Sequence, residues 1–382
     1  MIGIRMNAQK KMNKKIVVTG VTGQDGSYLA EYLLEETDCQ VVGCFRRLSV
    51  PNYQNIEKHL NHPRFEKAYF DLTDNESIQN VIRKYEPDYF INVAAQSYVG
   101  ASWEIPVATW NANATGVLHI LEAIRKFSPK TRFYNAGTSE EFGDVLYSPQ
   151  DELHPLRPRS PYGAAKAGAR HLVKVYRESY NLYAVQGWLF NHEGERRGEE
   201  FVTRKITKGV ALLKNFIDKE RKPVPLQLGN LDSKRDWGHA QDYVQGIWRM
   251  VNQKEYNPNF DVPRDYVIAT GETHTIREFL EKSFKHAGVP FKATNSEING
   301  QRVEYVHPET NDPLVCINPK YFRPAEVKLL LGDPTNIEND LKWERKVSFD
   351  DLVKRMVDKD VELAQNFDGL EERVNHSNDQ EK

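Results

Sequence analysis

The feature that most restricts this chain is a regular alternation, through its first half, of short β-branched apolar runs and amphipathic helical stretches. "KIVVTG" (15–20) is followed by "SYLAEYLLEET" (27–37), then by "QVVGCF" (40–45) and "RFEKAYFDL" (64–72). "SIQNVIRKY" (77–85), "DYFINVAA" (88–95) and "NATGVLHILEAIRKF" (113–127) continue the series. "TRFYNAG" (131–137), "SPYGAAKAGARHLVKVYRESY" (160–180) and "YAVQGWLF" (183–190) close it. Strands joined by helices of this length need crossovers, so the strands lie parallel and helices cover both faces of the sheet. The expected class is α/β, a doubly wound parallel sheet with a second, smaller α/β domain.

After Phe190 the pattern loosens. "RRGEEFVTRKITKGVALLK" reads as a basic loop entering a helix, "PVPLQLGNL" as an edge strand, and "AQDYVQGIWRMVN" as another helix. "DYVIATG" (265–271) again has the look of a buried strand, so the chain is expected to leave the sheet domain and return. The larger domain is read as 14–190 plus about 236–271, with part of 305–325 joining it. Residues 191–235, 272–304 and 326–370 form the smaller, discontinuous domain, and 371–382 a mobile tail.

The first strand-to-helix junction, "VVTGVTGQDGSYLAEYLL", carries Gly20, Gly23 and Gly26. Glycine there permits a tight turn, close backbone approach to a pyrophosphate, and close helix–strand packing. The helix start then turns its free N–H groups toward the phosphates. A plain turn has similar spacing, but the strand before and the helix after favour a dinucleotide. Gln24 and Asp25 lie inside the loop and join the glycines as cofactor-binding candidates.

At the end of the second strand, "CFRRL", an acid would suit the free ribose 2′-hydroxyl of NAD. Arg46 and Arg47 stand there instead, and guanidinium groups suit a 2′-phosphate; subunit contacts or plain exposure are the alternatives. NADP is therefore favoured over NAD. Asp71 and Leu72, closing the third strand, are placed to receive the adenine. "NVAAQS" (92–97), with Ala95, offers a path of small residues beneath the cofactor.

"SPYGAAK" sets Tyr162 and Lys166 four residues apart on one helix face. An ammonium beside a phenol favours phenolate, lowering a pKa that starts near ~10, so the tyrosine can take a hydroxyl proton as hydride leaves the carbon. Such pairs are common by chance, but this one follows Thr138 of "NAGTSEEFG" (135–143) in a chain that also carries the glycine loop.

Charge is balanced, 52 basic against 54 acidic residues, so no bulk field points to nucleic acid. Three cysteines without metal-ligand spacing fit a reducing compartment. The basic start lacks the apolar run of a signal peptide, and no stretch approaches the roughly 20 apolar residues that span a bilayer. A soluble cytoplasmic protein whose folded part begins near Lys15 is expected, with Met6 and Met12 as alternative starts and no bound metal.

The glycine loop, Thr138, Tyr162 and Lys166 together resemble the extended short-chain dehydrogenase/reductase superfamily of nucleotide-sugar enzymes, whose sheet domain is Rossmann-type. Within it, "DLTD", "AAQSYV", "TSE", "PRSPYGAAK", "LFNHE", "RRGEEFVTRKI", "LGNLDSKRDWGHAQDYV", "IATGETHTIREF" and "YFRPAEV" resemble the GDP-mannose 4,6-dehydratase family, over roughly residues 15 to 365. The resemblance implies a lyase that borrows and returns a hydride on NADP, leading toward fucose-type deoxysugars. Tyr162 would deprotonate the hydroxyl on sugar carbon 4, with Thr138 bonded to that oxygen and Lys166 beside the phenol. A carboxylate would then remove the carbon 5 proton, and the carbon 6 hydroxyl would leave as water.

Glu140 is the candidate for that carboxylate. The dTDP-glucose dehydratases resemble "TDE", with two acids to divide base and acid work. Ser139 cannot ionise, so Glu140 would serve both steps; a loop carboxylate capping the next turn is its alternative reading. Glu141 departs from the family, which usually packs Leu or Met there. It is expected to be exposed or paired with a nearby basic residue, and not catalytic.

By the same resemblance Asn191, Lys205, Arg235, Arg323 and Glu326 hold the nucleotide sugar, while His192 and Arg197 sit with the cofactor. A surface ion pair between Arg235 and Asp236 is the alternative for that arginine. His239 is read as structural, among aromatics and without a base partner. Because 296–319 aligns loosely, a related GDP-sugar such as GDP-manno-heptose is the second candidate substrate. A 4-epimerase or reductase would have no task for Glu140, and a non-catalytic NADP sensor or scaffold no need of the full set. Family members form homodimers or homotetramers.

Overall fold

Seven strands make one parallel sheet. They are β1 (Lys15–Thr19), β2 (Gln40–Phe45), β3 (Phe65–Tyr69), β4 (Tyr89–Asn92), β5 (Arg132–Ala136), β6 (Ala184–Leu189) and a last edge strand, Tyr266–Ile268. The computed structural model that shows them describes residues 14–298, 300–322 and 329–365. Arg323, Glu326 and the 371–382 tail lie outside the described residues. The spatial order is β3-β2-β1-β4-β5-β6 and then the edge strand, every pairing parallel. The order reverses direction between β1 and β4, so a crevice opens at their carboxyl ends.

Period-two alternation divides the core between the two faces. Ile16 and Val18 of β1 pack with Leu29, Leu33, Ile247 and Met250 from the helices Gln24–Glu36 and Ala240–Val251. Val17 points the other way, among Ile78, Ile82, Ile120 and Val173 of helices Asn75–Tyr85, Gly116–Phe127 and Pro161–Tyr180. Full burial of such a side chain contributes roughly 1.5–3 kcal/mol, so a one-residue slip of β1 would be strongly opposed.

A second core lies around a four-stranded sheet, in the order Lys292–Ile298, Gln301–Val306, Pro313–Ile317, Leu226–Leu228. Helices Val202–Asp218, Ile276–Ala287 and Phe349–Gln365 pack there through Val210, Phe279, Phe284 and Met356. Two segments depart from the expected domain outline. Residues 305–317, assigned in part to the large sheet, pair in this smaller one, where Val315 lies opposite Leu226. Ile337, Leu341 and Trp343, assigned to the smaller domain, join the large-sheet core instead, because the Trp343 indole N–H donates to Asp242 O at 2.8 Å and buries its ring there.

Candidate active site

The glycine loop is built as its spacing implies. Gly20 has φ +66° in the left-handed region, and a side chain there would stand 3.0 Å from the Ala94 backbone. A Cβ on Gly26 would lie 2.3 Å from Gly20 O, so only glycine lets the helix sit this close to the turn. Gly23 caps the helix without any side-chain bond. The "AAQS" path is fixed from beside: Asn113 accepts from Gln96 N at 2.9 Å and donates to Gln96 O at 2.8 Å, and Ala95 is half-buried between.

Asp25 and His192 meet across this loop, with His192 Nε2 at 2.8 Å from the carboxylate and His192 Nδ1 at 2.8 Å from Phe190 O. Gln24 donates to both Asp25 and His192 O at 3.0 Å. Burial works against the Asp25 anion, yet the His192 charge and hydrogen bond hold its carboxyl down at about 2. Burial likewise opposes the imidazolium, and Asp25 raises it. Arg197 is ion-paired to the buried Glu193 at 2.9 Å and stacks on Phe201; its charge is felt at both Asp25 and Tyr162.

Arg46 and Arg47 follow β2 directly, are exposed, and make no hydrogen bond or ion pair among the described residues. Asp71 turns its carboxylate to Thr73 N and Oγ1, closing the turn after β3 beside the buried Leu72.

The reacting end forms where β5 runs out. Ser139–Glu141 is one short helical turn, with Thr138 as its cap. Thr138 Oγ1 accepts from Glu140 N at 3.3 Å, and Glu141 Oε1 accepts from Thr138 N at 3.0 Å, a reciprocal capping box. Ser139 is buried, whereas Thr138 and Glu140 are half-buried. Ser160 and Pro161 start the neighbouring helix, Ser160 Oγ accepting from Gly163 N at 3.0 Å. A Cβ on Gly163 would come within 2.7 Å of Glu140 O, so the helix packs directly against the turn.

That packing brings Tyr162 into hydrogen-bonding reach of Thr138. Lys166 donates to Ala136 O at 2.8 Å, with its Nζ 5.9 Å from the Tyr162 ring centre. The expected lowering of the phenol is reversed. Burial pushes Tyr162 up and the Thr138 hydrogen bond lowers it, while the Glu140 and Glu141 charges add to the rise. Burial pushes the Lys166 ammonium down to about 8, and the charges of Glu141 and Asp25 oppose this. The charge of Asp25, on the glycine loop, is felt at Lys166 beside the reacting turn.

One further expectation is narrowed and another needs correcting. Glu141 is not exposed: it is fully buried, accepting from Gln186 Nε2 and from Trp188 Nε1 at 3.0 Å, and the basic residues whose charges reach it are Lys166 and Arg170. His239 does have a carboxylate partner, Glu195 Oε2 at 3.1 Å, which also takes the Tyr28 hydroxyl. Among the substrate candidates, Asn191 lies in a strand beside Trp237–His239, Lys205 sits over the Tyr321 ring at 3.3 Å, and Arg235 lies in the strand Lys234–Arg235. Arg235 and Asp236 are both buried, so they form no surface pair; Asp236 accepts from Thr270 and Gly271 N–H groups.

Residues 17–356 match the family model described as GDP-mannose 4,6 dehydratase. The chain belongs to the GDP-mannose 4,6-dehydratase family. Curated family members include one from Drosophila melanogaster, 45% identical over 92% of this chain and 87% of its own length. The Homo sapiens GDP-mannose 4,6 dehydratase is 43% identical over 91% of both chains. Among solved structures, a Thermus thermophilus UDP-glucose 4-epimerase in complex with NAD is 25% identical, with a TM-score of 0.72 over 91% of this chain and 98% of its own. A Streptomyces venezuelae dTDP-glucose 4,6-dehydratase with NAD shares the fold at a TM-score of 0.75, 21% identity, and 94% and 100% coverage.

At this GDP-mannose 4,6-dehydratase family site, sequence pattern does not single out Gln186, Trp188 or Glu193. The available signal was Gln186, an amide inside a run that otherwise reads as a wholly buried strand.

Proposed function

We propose that the protein is a GDP-mannose 4,6-dehydratase that uses NADP, converting GDP-mannose to GDP-4-keto-6-deoxymannose and water. The observation that carries the reading is the single turn and helix that bring Thr138, Glu140, Tyr162 and Lys166 together at the carboxyl end of β5, in a chain of this family. A nicotinamide dinucleotide fits the glycine cradle, and relatives of the same fold bind NAD or NADPH. One buried polar atom there, Gln24 Oε1, has no hydrogen-bond partner among the described residues.

When bound, the nicotinamide supplies a hydride acceptor at carbon 4 and returns that hydride at carbon 6. The rest is proton management by this chain. Tyr162, seated by Thr138, acts as phenolate, takes the proton from the carbon 4 hydroxyl and becomes a neutral phenol, with the Lys166 ammonium beside it on the same helix face. The new ketone acidifies carbon 5, whose proton Glu140 removes; the same carboxyl then protonates the departing carbon 6 hydroxyl, so one water leaves. Ser139 keeps the turn compact without offering a second acid. Asn191, Lys205 and Arg235 are assigned to the diphosphate, with Arg323 and Glu326 at the nucleotide. The part around the seven-stranded sheet is assigned to the cofactor and that around the four-stranded sheet to the sugar nucleotide.

NADP over NAD rests on the exposed Arg46 and Arg47, which have no ion-pair partner among the described residues. Replacing both with alanine is expected to weaken NADP binding by about 10- to 100-fold, as loss of hydrogen bonds to a charged group implies, with NAD little affected. Calorimetric titration checks this; an unchanged NADP preference contradicts it. No helix among the described residues is long and apolar enough to cross a membrane, and the three cysteines are buried and unpaired. We place the enzyme in the cytoplasm, as a homodimer or homotetramer like its family.

A further inference from the structure

Behind the reacting turn, a line of buried side chains crosses four strands. Thr19 Oγ1 accepts from Ala94 N at 3.1 Å and donates to Asn92 Oδ1 at 2.7 Å. Asn92 Nδ2 donates to Asn135 Oδ1 at 2.9 Å, and Asn135 Nδ2 to Gln186 Oε1 at 2.8 Å. Gln186 Nε2 ends the line on Glu141 Oε1 at 3.0 Å. Every proton in it points the same way, from the edge of the cofactor crevice toward the Glu141 carboxyl. A chain polarised in one direction strengthens each bond and needs a strong acceptor at its end.

Glu141 provides that acceptor. All its side-chain contacts come from N–H donors: Thr138 N, Gln186 Nε2 and Trp188 Nε1. Burial pushes the Glu141 carboxyl up to about 7, and the Thr138 hydrogen bond, the Lys166 charge and the Trp188 hydrogen bond oppose this; the donor set suits the carboxylate and leaves no acceptor for a carboxylic acid proton. The cations facing it are Lys166 and Arg170, the latter stacked on the Trp188 ring at 4.9 Å and paired to Asp265 at 2.7 Å. A packed apolar side chain would satisfy none of these donors. A polar group buried here, joined to the reacting turn by its capping box, does more than fill space.

We propose that Glu141 is a positioning residue of the dehydratase site: anchored by Gln186 and Trp188, its carboxylate fixes the Thr138 backbone and places a negative charge near Lys166, which is held on Ala136 O two residues before Thr138. The inference rests on the functional reading above, since it assigns a task to a turn whose neighbours do the chemistry. Glu141 touches no reacting atom; it acts through Thr138 and Lys166. Its anion faces two titrating groups and acts on both in one direction, raising Tyr162 and raising Lys166. The other charges facing Lys166 and Tyr162 are Asp25, Glu140 and Arg197, all untouched by a change at position 141.

Glu141→Gln keeps the volume and removes the charge. Two readouts follow in folded protein, one without turnover. The titration of Lys166, read from the pH dependence of trace acetylation by mass spectrometry in cofactor-free protein, is expected to move down by about one unit, the low end of what a near charge produces. The kcat/KM profile against pH is expected to move the same way, with kcat reduced about tenfold or more and KM for GDP-mannose within about twofold. If Glu141→Gln does not fold, Trp188→Phe removes one donor, raises the Glu141 carboxyl and gives a smaller shift in the same direction. An unmoved Lys166 titration in either folded variant overturns the proposal, even where activity falls, because a purely structural role predicts that. If the unmutated protein does not dehydrate GDP-mannose, the functional reading fails alone, and the acetylation comparison still decides the role of Glu141.

Discussion

Tyr162→Phe is expected to lower turnover of GDP-mannose by about 10³-fold, within the range for removal of a positioned general base. The ring is 7% exposed and packs at the start of the helix beside the reacting turn, so phenylalanine keeps its contacts and the fold. The change removes only the oxygen that reaches Thr138. Without it the carbon 4 hydroxyl has no base, and the reaction stops before any hydride moves. A single-turnover experiment should therefore show no reduced nicotinamide at 340 nm, a wavelength roughly characteristic of that chromophore, while thermal unfolding stays close to that of the unmutated protein. Rapid reduction in this variant would remove Tyr162 from its role.

Glu140→Gln is expected to stop the same reaction one step later, with overall turnover reduced by about 10²- to 10⁴-fold. Its backbone N–H still bonds Thr138 Oγ1, and its carbonyl still meets the glycine face of the Tyr162 helix, so the turn keeps its shape. The amide cannot accept the carbon 5 proton. Carbon 4 is oxidised, the ketone forms, and reduced nicotinamide accumulates to about one equivalent per site because no carbon 6 electrophile appears to take the hydride back. Water loss does not occur. The two variants thus separate by colour: neither releases product, but only Glu140→Gln becomes stably reduced. Normal dehydration by Glu140→Gln would transfer the carbon 5 step to another group.

The parts of this architecture legible in the sequence are those written over short spans. The glycine loop, β1 and the helix after it are one local unit, and Tyr162 and Lys166 share a helix face by spacing alone. Even there the sequence misdirected the electrostatics. It shows the lysine beside the phenol, but not the burial that pushes Tyr162 up. The Glu141 network was illegible for a different reason. Its partners stand 45 and 47 residues away on β6, and only the β5–β6 register, Asn135 opposite Gln186, brings them to the turn.

The same holds for the smaller core. The strand Leu226–Leu228 pairs with Pro313–Ile317 across a long insertion, and three-residue strands carry little periodicity of their own. Trp343 reaches the large-sheet core by one indole hydrogen bond to Asp242, a docking that no pattern near Trp343 announces. Glu141 stands out in the sequence because the family usually carries an apolar residue at that position. The donors that satisfy this particular carboxylate, Gln186 and Trp188, come from elsewhere in the chain.

The most direct measurement is the mass balance of the unmutated protein supplied with GDP-mannose and far less NADP than substrate. The account predicts a GDP-sugar lighter by one water, formed over many turnovers per cofactor with no net accumulation of NADPH. GDP-mannose recovered unchanged in mass, or converted only in step with NADPH formation, would contradict it.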